Sequence, residues 1–166
     1  MWKKIEQKLL KNSPMRCIVS PVESASVEIV EMQEVRSIWK WLLIYVGVSQ
    51  EDIAKSWAKE FFEKVVHKIA HTKLFHSEET QKIDTSLMDF HWEILCISNF
   101  TLYGNFNKWT KVDFWEWAKF QEAKTVYERL CTLFKDQWIP LKTWEFWAKM
   151  RIKSENLGPL NYIFEY

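Results

Sequence analysis

Tight turns are hard to build from this chain. Its 166 residues hold three glycines, Gly47, Gly104 and Gly158, against eleven tryptophans. Left-handed backbone suits glycine and is an outlier for a bulky side chain, so a tryptophan at a turn is a conflict to be explained. Between the few breakers the pattern reads first as strands. Arg16 to Val19 and Ser26 to Val30 are rich in β-branched residues, and Pro21 breaks any helix between them. Val35 to Ile38 and the apolar run Leu42 to Val48 follow, with a hairpin turn expected at Ile38-Trp39-Lys40-Trp41-Leu42. Ser49-Gln50-Glu51-Asp52 is a capping signal for a helix over Glu51 to Ala70, whose core face is Ile53, Trp57, Phe61 and Val65. Lys73-Leu74-Phe75 reads as a short strand and His76 to Thr85 as a loop. A strand over His91 or Glu93 to Phe100 follows, then a loop over Tyr103 to Asp113. The second long helix starts at Phe114 or Ala118 and runs to Lys135. Thr143 to Lys153 and Leu160 to Glu165 are the last strands. The expected class is α+β: a mixed, barrel-like β-sheet with two main helices.

Composition narrows the function classes. No run approaches the roughly 18 apolar residues of a membrane span, so no membrane association is expected. A formal charge of +1 provides no global basic field, and any nucleic-acid contact must rest on a local patch. Cys17, Cys96 and Cys131 are odd in number and have no CxxC spacing, which predicts reduced core thiols. Residues 1–14 are basic and polar without an apolar stretch, so they are not a signal peptide. They read as an N-terminal extension, either a short amphipathic helix or an upstream start before Met15, ahead of a single domain over 15–166. A cytoplasmic protein is expected. His67 and His71 share an i, i+4 spacing that could bind zinc, but no acidic or cysteine partner follows at ligand spacing, and a solvated helix face is the better account. No metal and no organic cofactor is expected.

Chemistry is carried by two segments. Ser98-Asn99-Phe100-Thr101-Leu102-Tyr103 closes the strand that contains Ile94-Leu95-Cys96-Ile97, and a strand end followed by a turn is where a reacting carbonyl meets exposed N–H groups. Asn156-Leu157-Gly158-Pro159 holds a stiff dipeptide that lacks one N–H and can adopt the cis form. In this order and spacing the two resemble the Ser-Gln-x-Thr and Asn-x-Gly-Pro signatures of the D-aminoacyl-tRNA deacylases. The resemblance extends over nearly all of Met15 to Tyr166, including Leu43 to Ser49, Lys73-Leu74-Phe75, Ser86-Leu87-Met88-Asp89 and Glu93-Ile94-Leu95-Cys96. It implies a homodimeric hydrolase that cleaves the ester at the 3′ end of D-aminoacyl-tRNA, a proofreading step in translation quality control. Ser98, Asn99, Phe100 and Thr101 would line the adenosine and carbonyl site, with the N–H groups near Phe100 and Thr101 as oxyanion donors. The adenosine's own 2′-OH would assist hydrolysis. Met150 would be the pocket methionine, and Asn156 belongs to the second signature. Gly158 and Pro159 would cross to the partner subunit and occupy the space an L side chain needs. A direct nucleophile role for Thr101 would need an adjacent base, and no histidine lies nearby in sequence.

Several positions depart from the family pattern. Ser20-Pro21 replaces a Gln-Arg pair whose arginine holds the Gly-Pro carbonyls, Asn99 replaces a glutamine, and Asn161 replaces a threonine. A deacylase of relaxed chirality, clearing misacylated L-aminoacyl-tRNA, and a non-catalytic tRNA-binding homologue are therefore the alternatives. Lys108, Lys111, Lys119, Lys149 and Arg151 are candidates for tRNA-backbone contact. Thr143-Trp144-Glu145-Phe146-Trp147-Ala148-Lys149-Met150 resembles the family's Thr-Gly-x-Phe-Gly-Ala-x-Met, and Trp39, Trp41, Trp92 and Trp109 also stand at usual glycine positions. One reading is a gene that uses UGA for glycine, which predicts UGA at codons 39, 41, 109, 144 and 147. The other is a divergent tryptophan-rich relative with rebuilt turns.

Overall fold

The computed structural model describes residues 15–55, 59–90, 92–107 and 110–166. The expectations for the 1–14 extension, Trp57, His91, Lys108 and Trp109 lie outside them. Two fourteen-residue strands, β1 (Arg16–Ile29) and β2 (Glu34–Gly47), form the antiparallel centre. β5 (Glu93–Ser98) runs parallel to β2, and β6 (Leu141–Thr143) parallel to β5, giving one flank. On the other flank β7 (Met150–Asn156) pairs the second half of β1 and β8 (Tyr162–Glu165) pairs its first half. β3 (Lys73–His76) and β4 (Ile83–Ser86) make a separate two-stranded ribbon. Three α-helices complete the described chain: α1 (Gln50–Lys55), α2 (Lys59–His71) and α3 (Phe120–Asp136).

The expected α+β class with a mixed sheet is what the structure has, but the sheet is open. Among the described residues no strand joins β6 to β7 or β8, and β6 is only three residues long. The first helix expected over Glu51 to Ala70 is represented by α1 and α2, so the described helices number three. Phe62, Val65, Val66 and Ile69 form the buried face of α2, with Phe61 half-buried beside them.

Two expected breaks do not occur. β1 continues through Pro21 because that residue falls in the gap between the β8 ladder, which ends at Val19 opposite Tyr162, and the β7 ladder, which begins at Val22 opposite Asn156. No ladder N–H is needed there, which is where a sheet tolerates proline. β2 likewise runs through Trp39-Lys40-Trp41 in place of the expected hairpin, with Lys40 taking φ 48°. The hairpin turn sits instead at residues 30–33, where Gln33 has φ 52°. β4 occupies part of the segment read as a loop, and the strand expected from Thr143 is divided into β6 and β7 by a loop at 144–149. Cys17, Cys96 and Cys131 are free and buried in the core, as their spacing suggested, and burial pushes the Cys17 thiol up to about 12. No helix of the described residues is long and apolar enough to cross a membrane.

Candidate active site

A cavity of about 310 Å³ opens at the carboxyl ends of the parallel strands β2 and β5, the end at which open sheets commonly bind ligands. The end of β2 contributes Tyr45, Val46 and Val48. β5 and its turn contribute Ile97, Ser98, Asn99, Phe100 and Thr101, and the segment leading into β7 contributes Phe146, Trp147 and Met150.

Local sequence builds the turn. The buried run Ile94 to Ile97 ends at half-buried Ser98, and Asn99 caps a 3₁₀ turn over Phe100–Tyr103. Asn99 Oδ1 accepts from the Thr101 N–H at 3.0 Å and from the Thr101 hydroxyl at 2.6 Å. The Asn99 N–H donates to the Val46 carbonyl at 2.7 Å, which ties the turn to β2. Beneath it Tyr103 packs against Gly47, where an added Cβ would stand 2.8 Å from Tyr103 Cε2 and 3.2 Å from Leu102 Cβ. Arg16 holds the far side: Nη1 donates to the Leu102 carbonyl at 3.0 Å, Nε meets Glu165 at 3.1 Å, and the guanidinium lies 5.2 Å over the Tyr103 ring.

Within this turn the Phe100 N–H is left over. The Thr101 N–H is committed to Asn99, whereas the Phe100 N–H has no acceptor among the described residues. The Phe100 ring is set by Phe114, Trp117 and Trp147 at centroid distances of 5.0, 5.2 and 5.4 Å. Tyr45 also lines the cavity, and burial raises its hydroxyl above the ordinary value. Ser98, Asn99, Thr101 and Tyr45 thus bring polar side chains to a cavity lined otherwise mostly by apolar residues.

Of the residues singled out in the sequence, the structure gathers Ser98, Asn99, Phe100, Thr101 and Met150 around the cavity. It keeps Asn156, Gly158 and Pro159 apart from it. Asn156 ends β7 opposite Val22, and the Gly158–Pro159 peptide is cis and exposed on the loop between β7 and β8. Tyr45 and Phe146 were missed as site residues. Strand alternation could have flagged Tyr45, a polar-tipped ring in the apolar run before Gly47, but nothing local brings the 144–149 loop over the cavity. Lys111, Lys119 and Lys149 are exposed, while Arg151 is paired with Glu28 at 3.4 Å. The His67 and His71 rings stack at 3.9 Å, and no group of three or more potential metal ligands occurs among the described residues.

An open mixed sheet, a capped turn at the end of a parallel strand, and a largely apolar cavity at that turn define a small α+β protein with one candidate ligand site. Comparison with known proteins carries the assignment further: the D-Tyr-tRNA(Tyr) deacylase family model matches residues 18–165, and the chain belongs to that family. D-aminoacyl-tRNA deacylases of Clostridium botulinum (strain Alaska E43 / Type E3) and Aquifex aeolicus (strain VF5) are 34% and 33% identical to it over 151 residues, 91% of this chain and 97% of each relative. Among solved structures, the c-Myc DNA unwinding element binding protein superposes with a TM-score of 0.80 at 28% identity, over 92% of this chain and 99% of that one. A probable eukaryotic D-amino acid tRNA deacylase superposes at 0.76 with 16% identity over the same shares, a likeness of fold.

Proposed function

We propose that the protein hydrolyses the ester of D-aminoacyl-tRNA, releasing free D-amino acid and tRNA. The observation that carries this is the uncommitted Phe100 N–H at the edge of the cavity, beside family membership over residues 18–165. Water adds to the ester carbonyl, and the developing oxyanion is held by the Phe100 N–H, with the ribose 2′-OH assisting. The bond from the carbonyl carbon to the ribose 3′-oxygen then breaks, and that oxygen takes up a proton. A donor aimed at developing charge in a partly dry cavity lowers the barrier without a protein nucleophile, and the Thr101 hydroxyl, held by Asn99, is not asked to be one. Ser98 and Asn99 border the 3′-terminal nucleoside, and Met150 lines the space for the acyl group.

The Gly158-Pro159 loop stands away from its own cavity, and this supports a homodimer in which each subunit's loop closes the other's site and denies space to an L side chain. Lys111, Lys119 and Lys149 would meet the tRNA backbone, for which a few placed cations suffice. The test follows end-labelled D-tyrosyl-tRNA with purified protein. The reading expects loss of the ester with intact tRNA and free D-tyrosine. Binding of tRNA with the ester retained would overturn it and leave a tRNA-binding homologue.

A further inference from the structure

One buried polar side chain of β1 has no part in the chemistry above. Ser20 is 3% exposed, and its hydroxyl donates to Asn161 Oδ1 at 2.7 Å. The next residue, Pro21, accepts at its carbonyl from the Leu157 N–H at 2.9 Å. Leu157 and Asn161 are the two shoulders of the Gly158-Pro159 loop, and the Leu160 N–H closes the loop on the Leu157 carbonyl at 3.1 Å. Two consecutive residues of a core strand thus hold both shoulders, in the gap where β1 changes partner from β8 to β7. The tip itself is exposed, and a Cβ added at Gly158 would meet nothing within 4 Å.

The shoulders therefore decide where the tip stands. One tie runs backbone to backbone and is indifferent to side chains. The other depends wholly on the side chains of Ser20 and Asn161, which are in contact. We infer that Ser20 and Asn161 are a positioning pair that sets the location of the Gly158-Pro159 tip and, through it, the discrimination between D- and L-aminoacyl esters. The inference rests on the deacylase reading. The pair touches no reacting atom. Its effect is on which acyl group fits, not on how fast a fitting one reacts.

The experiment compares single-turnover hydrolysis of D-tyrosyl-tRNA and L-tyrosyl-tRNA by wild type, Ser20→Ala, Asn161→Leu, the double variant and Asn161→Asp, with amide exchange at Leu160 and Asn161 followed in parallel. Hydrolysis of the D-ester should stay within about twofold, while the D-to-L preference falls roughly three- to tenfold, the effect of one hydrogen bond. The double variant should fall no further than the single ones, because both remove the same bond. Asn161→Asp retains the acceptor oxygen and should keep the preference. Exchange at the shoulder should quicken in Ser20→Ala. An unchanged preference, or parallel loss on both esters, would overturn the inference while leaving the deacylase reading intact. Wild type inert on both esters would overturn that reading and the selectivity role together, and the exchange data would still report whether the bond holds the loop.

Discussion

At the scale of single residues, the proposed mechanism turns on the peptide unit at Phe100. Phe100→Pro removes its N–H at the first position of a 3₁₀ turn, where proline fits, and Asn99 before it is already extended at φ −144° and ψ 99°. Hydrolysis should fall on the order of 10²–10³ relative to Phe100→Ala, the usual effect of losing one oxyanion donor; equal rates in the two variants would remove this peptide from the mechanism. Tryptophan makes the second residue-scale case. Trp138 and Trp147 take φ values of 59° and 73°, and Trp138 is 87% exposed. A left-handed residue costs about 1–2 kcal/mol without a glycine, and little packing at Trp138 offsets that. Trp138→Gly should therefore stabilise the protein by about 1 kcal/mol, raising Tm by roughly 2–4 °C. Buried Trp144 also keeps its indole N–H without a partner among the described residues, a cost glycine would not carry. Left-handed backbone at 138 and 147 is what glycine adopts without cost, although the Trp147 ring also packs on Phe100 and Trp117. Intact mass of the natural protein, with codons 138, 144 and 147, checks the reading of UGA as glycine: UGA and the lower mass agree with it, and UGG contradicts it.

At the scale of elements, the sequence made the strand content and the two helical regions legible, because β-branched runs and four-residue apolar spacing act locally. It did not make the continuity of β1 and β2 legible. Pro21 and Trp39-Lys40-Trp41 look like breaks, and only the pairing of β7 and β8 on either side of Pro21 explains why one is not. The turn after β5 was legible from its residue types, and it lines the cavity, yet the commitment of the Thr101 N–H to Asn99 was not legible, since that depends on side-chain geometry. The close contact of Gly47 with Tyr103 and Leu102 belongs to this scale as well. Gly47→Ala must move the 3₁₀ turn, with a stability loss of about 1–3 kcal/mol and hydrolysis at least tenfold slower; unchanged kinetics would show that the turn can shift freely. The short β3–β4 ribbon offers a pH readout. Lys73 lies 2.8 Å from Asp89, and with Ser86 it lowers the Asp89 carboxyl to about 2. A depressed folded-state value stabilises above the unfolded pKa near 4 and is lost as pH falls through about 2. Asp89→Asn should thus lower Tm at pH 7, and its deficit should shrink between about pH 4 and pH 2; a deficit independent of pH would assign the effect to packing.

At the scale of the whole molecule, the proposed function needs two parts that one chain holds apart. The cavity lies at the ends of β2 and β5, and the Gly158-Pro159 loop projects from the edge shared by β7 and β8. A second copy resolves that separation, so the protein should sediment as a dimer at assay concentrations. The account stands most directly on a ratio: the single-turnover rate constants for D-tyrosyl-tRNA and L-tyrosyl-tRNA, measured with the same enzyme preparation, L-alanyl-tRNA alongside. Rapid loss of the D-ester with both L-esters spared is the expected result. Comparable hydrolysis of the D- and L-esters, or of none, would contradict it.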